Sequence, residues 1–352
     1  MERFKFKLGA FILFFLMIIN GITLSGGSTT AGVDTINERF EANVDNDFYF
    51  VQFTDTHVMH RLFDWKEVSK NKLQSVLDHV SSFEKKPAFI VITGDLTNWG
   101  GGILSGALNC LAFASCFYKN DDQLYADADY SIPVYTAPGN HEYIYTRNLM
   151  NYHRFIENND RYIVNYSNMS LFFINSGPSY HDGGAGLYDC DMDWLEGALQ
   201  NCSSHIKIVL MHHPAVYFRN DEGRMRDVIV QNREAFVNAC ENHSVDLVLT
   251  GHTHESRVFD GDENSYDENM SFNCSLYPAL FVQTTDCSEH GVHYRNVSII
   301  GNDVWLGPCV EVTTSDPPSF RQPFRPDKDP PSFYSSEKIA FVTCIGQALT
   351  RF

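Results

Sequence analysis

Residues that could hold metal ions recur at five places in this chain. At each place, carboxylate, imidazole or carboxamide side chains follow one another within a few residues. In chain order, the five segments are Asp55-Thr56-His57, Gly94-Asp95, Gly139-Asn140-His141-Glu142, His212-His213-Pro214 and Gly251-His252-Thr253-His254. One such segment alone is weak evidence, but the ordered set predicts a hydrolase that uses two metal ions.

The elements that must position these residues can be inferred from the apolar runs before them. Residues 48–53 are apolar, aromatic or β-branched except for one glutamine, which predicts a buried strand, and Asp55 and His57 follow at its end. Residues two apart in an extended chain point to the same side, so both side chains can reach one ion. The same arrangement recurs at residues 88–93, 206–211 and 245–250.

Helical patterns alternate with these strands. Apolar residues are spaced three and four apart over residues 65–80, 191–200 and 226–242. This alternation predicts an α/β domain, in which ligands bind beyond the carboxyl ends of the strands. The metal-binding segments lie at those ends.

The predicted ligands supply oxygen and nitrogen atoms and no cysteine sulfur. This donor set suits two divalent or trivalent ions such as zinc, manganese or iron, whereas calcium is disfavoured by the number of imidazoles. A shared carboxylate holds two ions roughly 3.5–4 Å apart, a separation that stabilises both the attacking and the leaving oxygen. Asp95 is the natural candidate for that bridge.

With these five segments in this order, the sequence resembles the calcineurin-like metallophosphoesterase superfamily over about residues 48–305. The resemblance implies two packed mixed β-sheets flanked by helices, in a catalytic domain that we place at residues 45–312. It assigns metal ligands residue by residue. One ion would be held by Asp55, His57 and His254, the other by Asn140, His212 and His252, and Asp95 would bridge them.

The same resemblance leaves His141 free of metal. It implies that His141 protonates the leaving oxygen or stabilises charge, while a hydroxide held by the two ions attacks phosphorus in line. His212 is favoured over His213 because the ligand lies two residues before the proline. Glu142 and Asp286 are candidates for orienting a ligand imidazole.

The substrate class is narrowed by residues 93–100. Purple acid phosphatases carry tyrosine three residues after the bridging aspartate, whereas this chain has Asn98. The run instead resembles class III cyclic nucleotide phosphodiesterases and acid sphingomyelinase-like enzymes, which favours a small-molecule or lipid phosphodiester. The alternatives are a lumenal acid phosphatase-like phosphomonoesterase, or a non-enzymatic glycoprotein that retains the fold.

The N-terminus predicts passage through the secretory pathway. Arg3, Lys5 and Lys7 precede an apolar stretch at residues 8–24, so we interpret residues 1–30 as a signal peptide or, alternatively, an uncleaved membrane anchor. Seven glycosylation sequons agree with a secreted or lumenal protein. They begin at Asn165, Asn168, Asn201, Asn242, Asn269, Asn273 and Asn296.

Nine cysteines lie outside the metal-binding segments and predict disulfides, with Cys110–Cys116 and Cys190–Cys202 as candidate pairs. Residues 99–130 predict either a lid over the site or an ordinary buried helix pinned by the first of these bridges. Residues 313–352 are rich in proline at first and predict a tail. The formal charge of -18 disfavours a nucleic-acid polymer as partner.

Overall fold

The protein is described by a computed structural model over residues 47–117, 132–146, 148–178, 185–216 and 228–312, together with the backbone of the short strand Thr35–Ile36. All of them belong to the unit Asp34–Phe352. The predicted leader at 1–30 and the predicted tail at 313–352 lie outside the described residues. Among the residues described, no helix is long and apolar enough to cross a bilayer.

The described residues form more strands than helices. The strands are β1 (Thr35–Ile36), β2 (Phe48–Phe53), β3 (Ile90–Thr93), β4 (Val134–Ala137), β5 (Tyr162–Tyr166), β6 (Met169–Phe173), β7 (Ala185–Gly186), β8 (Ile206–Leu210), β9 (Ile229–Gln231), β10 (Leu247–Thr250), β11 (Arg257–Phe259), β12 (Ser265–Tyr266), β13 (Phe272–Asn273), β14 (Leu280–Gln283), β15 (His293–Ile300) and β16 (Asp303–Glu311). The α-helices are α1 (Val68–Ser81), α2 (Ser105–Ala114), α3 (Met150–Phe155), α4 (Asp189–Asn201) and α5 (Arg233–Asn242). Two 3-10 turns cover Asn140–Tyr143 and Cys274–Leu276.

Most of these strands form two mixed sheets. Sheet A has the spatial order β1-β5-β6-β8-β10-β14-β11-β12, and sheet B has the order β13-β16-β15-β2-β3-β4. Parallel neighbours form the centre of each sheet, β6-β8-β10-β14 in one and β2-β3-β4 in the other. Antiparallel strands complete both sheets. The predicted α/β fold with two mixed sheets is confirmed.

The apolar core has three layers, one between the two sheets and one between each sheet and its helices. Between the sheets, Phe50 and Val91 of sheet B share one buried cluster with Leu171, Ile208 and Leu249 of sheet A. A second cluster joins sheet B to α1 and α2, and a third joins sheet A to α4 and α5. The helices therefore flank the two sheets, because their apolar faces cover the outer surfaces.

Helix α1 follows from the apolar spacing, but it begins three residues later than predicted. Its buried face has the expected helical period, with Leu73, Val76, Leu77 and Val80. The delay arises at Glu67, whose φ of 52° is left-handed. The helix predicted at 191–200 is observed as α4 (Asp189–Asn201). The helix predicted at 226–242 is observed as α5 only from Arg233, because Ile229–Gln231 forms β9.

The segment after the second metal motif is a buried helix in its described part. Ala107, Leu108 and Phe113 of α2 are all at most 5% exposed, so this part does not form a lid over the site. Residues 118–131 lie outside the described residues. The buried-helix alternative therefore holds for α2, although the expected bridge is absent.

The predicted disulfides are wrong for the pairs that we named. All eight cysteines in the described part of the chain are free thiols. Cys190 and Cys202 stand at opposite ends of α4, roughly 18 Å apart at about 1.5 Å per residue, whereas a disulfide needs Cα atoms about 4.4–6.8 Å apart. Cys110 and Cys116 pack into different apolar clusters.

Candidate metal centre

The structure brings all eight predicted site residues to one edge of the two sheets. In sheet B they follow the carboxyl ends of β2, β3 and β4, and in sheet A they follow β8 and β10. Because these strands are parallel neighbours within each sheet, their ends lie side by side. The residues are Asp55, His57, Asp95, Asn140, His141, His212, His252 and His254.

Five of these residues have left-handed backbone conformations, which side chains other than glycine rarely adopt. Their φ angles are 53° at Asp55, 44° at His57, 48° at Asp95, 70° at His252 and 56° at His254. Such conformations cost on the order of 1–3 kcal/mol each and cluster at functional sites. The sharp turns aim successive side chains at one place.

One group of ligand atoms surrounds Asp55. Its Oδ1 atom lies 3.3 Å from His254 Nε2 and 3.9 Å from His57 Nε2, and the two imidazole nitrogens are 3.5 Å apart. Asp95 Oδ2 is 3.9 Å from His57 Nε2 on the side of the second group. These atoms match the ligand set predicted for the first ion.

A second group converges on His212 Nε2. This nitrogen lies 3.2 Å from Asp95 Oδ2, 3.1 Å from Asn140 Oδ1 and 3.2 Å from His252 Nδ1. His212 Nδ1 donates to the Thr93 carbonyl oxygen at 2.8 Å, so Nε2 is the nitrogen that would bind a metal ion, in place of its proton. Asp95 therefore lies between the two groups, as a bridging carboxylate would.

The hydrogen bonding of Asp55 indicates that the site fits a cation. Its Oδ2 accepts hydrogen bonds from Thr54 Oγ1 and the His252 backbone N–H, whereas Oδ1 is buried without a hydrogen-bond partner. An orphaned buried carboxylate oxygen is costly unless a cation satisfies it. The orphaned atom faces the imidazoles of His57 and His254, so the predicted donor set fits an ion there.

A family model described as calcineurin-like phosphoesterase matches residues 48–256. The chain belongs to the calcineurin-like phosphoesterase family. It is therefore a phosphoric ester hydrolase by family, with clustered histidines and aspartates that are compatible with a binuclear metal site.

The chain of this phosphoesterase is also similar to individual proteins. A protein named "Probable cyclic nucleotide phosphodiesterase" from Rhodococcus erythropolis is 25% identical over 278 residues, which are 76% of this chain and 86% of the relative. Purple acid phosphatase PPD1 from yellow lupin is a structural neighbour with 13% identity and a TM-score of 0.48; the match covers 73% of this chain and 50% of that one. GAP50 of Plasmodium, described as the anchor in the inner membrane complex, has 12% identity and a TM-score of 0.49, with coverages of 77% and 86%.

Burial and neighbouring charges shift the pKa values of the carboxylates and imidazoles in the phosphoesterase site. Burial opposes ionisation of Asp55, but His212 and His254 lower its pKa to about 2. Burial likewise opposes protonation of His212, yet Asp95 and Asp55 raise its pKa to about 9. Burial, with His212 nearby, lowers the pKa of His252 to about 4, which keeps this imidazole neutral and able to bind metal.

His141 is set apart from the ligand groups. Its Nδ1 donates to the Asn98 carbonyl oxygen at 2.7 Å, which leaves Nε2 directed towards the site, 3.8 Å from Asp95 Oδ2. The imidazole lines an open cavity of about 410 Å³ together with His57 and His254. A substrate in that cavity would meet His141 beside the metal ligands.

The two carboxylates expected to orient imidazoles differ in what they contact. Glu142 accepts from the backbone N–H groups of Thr97 at 2.9 Å and Gly139 at 2.8 Å, so it fixes two loops rather than an imidazole. Asp286 Oδ2 lies 3.8 Å from His254 Nδ1, close enough for an ion pair. The expectation for Glu142 was wrong because its side chain turns back to Gly139, just before the 3-10 turn that contains it.

His213 was not predicted as a metal ligand, yet the structure places its imidazole beside the ligand His252. Its Nδ1 is 2.8 Å from Ser176 Oγ, its ring centroid is 4.3 Å from that of His252, and its Nε2 is buried without a hydrogen-bond partner. Lys72 and Ser288, which line the cavity, were missed altogether. No local motif marks these residues, because only the fold brings α1 and the loop after β14 to the site.

Proposed function

We propose that this protein is a metal-dependent phosphodiesterase that acts on a small-molecule or lipid phosphodiester. The observation that carries the proposal is the convergence of two ligand groups on Asp95, with His141 beside them and facing the same cavity. The relative named as a probable cyclic nucleotide phosphodiesterase supports cleavage of a diester.

The metal-binding and proton-donating roles would fall to different residues. Asp55, His57 and His254 would hold one ion, and Asn140, His212 and His252 the other, with Asp95 shared. When bound, two such ions polarise the phosphoryl group and lower the pKa of water, so that a nucleophile exists near neutral pH. As an imidazolium, His141 would donate its Nε2 proton to the departing oxygen and become neutral, while its Nδ1–H stays bonded to the Asn98 carbonyl oxygen.

The cavity beside the ions has room for a second ester substituent. Met59 and Val68 provide an apolar wall, and Lys72 provides a cationic one, on the side of the cavity formed by α1 and the residues before it. A diester places one organic group on the leaving side and a second on the retained side. This wall is a suitable surface for the retained group, which supports a diester over a monoester.

Hydrolysis of bis-p-nitrophenyl phosphate, measured against p-nitrophenyl phosphate, tests the proposal. The protein would be purified from a secretory host and assayed before and after chelation, then with zinc, manganese or iron restored. Diester cleavage that is lost on chelation and recovered with one of these metals is the expected result. A preference for the monoester would favour a phosphomonoesterase, and inactivity with every metal would favour a binding protein.

We also propose that the protein is secreted or resides in the lumen of the secretory pathway. The leader-like N-terminus and the sequons support this, and the sequon residues Asn201, Asn242 and Asn269 are exposed. Expression in a eukaryotic host should give a glycosidase-sensitive mass increase that falls when these asparagines are changed to glutamine. An unmodified protein retained in the cytosol would contradict the proposal.

A further inference from the structure

Large apolar side chains are exposed in the connection between β2 and α1 and at the first residue of α1. Leu62 is 59% exposed, Phe63 39%, Trp65 80% and Val68 48%, all within seven consecutive residues. Single exposed apolar residues are ordinary, but a contiguous group is a mark of a surface that binds something.

This group lies at the mouth of the metal centre. Asp64 and Val68 line the same cavity as His57 and His141. The ring of Phe63 lies 5.8 Å from that of Trp99, which follows the motif of Asp95. Whatever covers this surface would therefore sit next to the substrate cavity.

Basic residues alternate with the apolar ones. Arg61 and Lys66 are exposed, and Lys66 Nζ lies 5.2 Å from the centre of the Trp65 ring. Within residues 61–68 the two basic side chains are exposed, whereas the acidic residues Asp64 and Glu67 are half-buried, in a chain whose formal charge is -18. The carboxylate of Asp64 accepts hydrogen bonds from Ser69 at the start of α1, at 3.0 and 3.1 Å, so its charge is turned inward.

The connection is tied to the fold on both sides of the exposed group. The His60 backbone N–H donates to Asn109 Oδ1 of α2 at 2.9 Å, and Ser69 is held by Asp64. The exposed apolar residues are thus presented by an anchored loop. An anchored loop pays less conformational entropy on binding than a flexible one.

We propose that residues 61–68, here called the docking loop, bind the surface of an anionic lipid bilayer. Aromatic and aliphatic side chains enter the interfacial region of a bilayer, and neighbouring basic side chains contact anionic headgroups. A second copy of the chain is a poorer occupant, since a stable dimer interface takes roughly 20–30 residues from each side and this loop supplies far fewer. The docking loop would hold the metal centre close to phosphoester headgroups, and that consequence rests on the proposed function.

The test must report on the docking loop itself, because the apolar residues 8–24, which we predict to be a leader or an anchor, would also bind vesicles. Tryptophan fluorescence of the full chain would be measured with vesicles of brominated phosphatidylcholine mixed with phosphatidylserine, in the presence of chelator. We expect quenching that is largely lost in Trp65→Phe and retained in Trp305→Phe. Equal quenching in both variants would overturn the proposal.

Variants that keep Trp65 separate the apolar from the ionic contribution. Leu62→Ser should weaken quenching at a given lipid concentration, as should Arg61→Gln combined with Lys66→Gln, each by several-fold in apparent affinity. The matched controls Leu276→Ser and Lys86→Gln change exposed residues elsewhere and should behave as the unchanged protein. The quenching should also weaken with salt and be small on pure phosphatidylcholine.

Three outcomes would decide against the docking loop. They are quenching that is indifferent to phosphatidylserine and salt, control variants that weaken it equally, and self-association that Leu62→Ser abolishes in the absence of any quenching. Because chelator is present throughout, the measurement does not depend on hydrolysis. Loop-specific quenching by a protein that hydrolyses no phosphoester would support the docking loop and refute only the proposed function.

Discussion

At the scale of single residues, Asp95 lies between the two groups of ligand atoms. Its Oδ2 lies 3.2 Å from His212, 3.8 Å from His141 and 3.9 Å from His57. Asp95→Asn keeps the shape and the Oδ1 acceptor for the His141 backbone N–H, but it removes the bridging charge.

We therefore expect Asp95→Asn to lose at least one ion per molecule and on the order of 10²-fold or more in activity. Elemental analysis and the diester assay would measure both effects. Asp193→Asn, in the exposed face of α4, is the matched control and should leave metal content unchanged. Full metal occupancy with normal turnover in Asp95→Asn would show that Asp95 is not the bridge.

His141 should act on the substrate and not on the ions. His141→Ala is expected to keep its metal content while losing roughly 10²–10⁴ in rate on a diester with an aliphatic alcohol as leaving group. The loss should be smaller with p-nitrophenolate, because this good leaving group needs little protonation. His205→Ala, at an exposed site, is the control, and unimpaired turnover of the alcohol ester by His141→Ala would disprove the acid role.

His60 gives a prediction about pH. Burial, together with Arg61 and Lys70, lowers the pKa of His60 from 6.5 to about 4. Between these values the unfolded chain binds more protons than the folded one, so the free energy of unfolding falls as the pH drops from about 6.5 towards 4.

His60→Asn keeps an acceptor for the Leu62 backbone N–H but does not titrate, so its stability should decline less over that pH range. Urea denaturation of both proteins in chelator would measure the difference. His205→Asn, which removes an exposed imidazole, should follow the unchanged protein. Identical pH profiles for His60→Asn and the unchanged protein would rule out this contribution.

At the scale of elements, a buried polar chain joins the strands beneath the metal centre. Arg295 of β15 is fully buried and donates to Thr284 Oγ1 at 3.2 Å, to the Gly307 carbonyl at 2.9 Å and to Ser256 Oγ. Thr284 in turn donates to Gln52 Oε1 of β2 at 2.6 Å. The guanidinium thus connects β15 and β16 to the loop that follows His254.

Arg295→Met should destabilise the fold by about 3 kcal/mol, because it leaves several buried acceptors without a donor. Chemical denaturation at fixed pH and metal concentration would measure the loss. Arg61→Met, at an exposed position, should change stability by less than about 0.5 kcal/mol. A similar small effect for Arg295→Met would mean that water replaces the guanidinium.

At the scale of the whole molecule, the metal centre joins the two sheets. Its ligands follow β2, β3 and β4 of sheet B and β8 and β10 of sheet A, and five of them have left-handed backbones. Ions that bind only the folded state stabilise it by about 2.7 kcal/mol at a concentration one hundred times Kd.

Chelation should therefore lower Tm by roughly 5–10 °C for a domain of this size. Differential scanning calorimetry with and without chelator would measure the shift, and added zinc or manganese should reverse it. Asp95→Asn should show a smaller shift, since it binds fewer ions. A Tm that is insensitive to chelator would mean that the ions contribute little to joining the sheets.

The sequence by itself determined the strand ends and the residues placed on them. Apolar runs of four to six residues are buried as strands wherever they pack between two layers, and the polar residues that follow must then lie at the sheet edge. For the same reason the helical period of α1 was enough to predict its buried face.

Only the tertiary structure decided how distant segments meet. Glu142 turns to the backbone of Thr97, 45 residues away, and His213 packs on Ser176 and His252. Cys190 and Cys202 are close in sequence yet separated by the length of α4. Local patterns report which side of an element is buried, whereas hydrogen-bond partners and thiol pairing depend on long-range packing that no local pattern encodes.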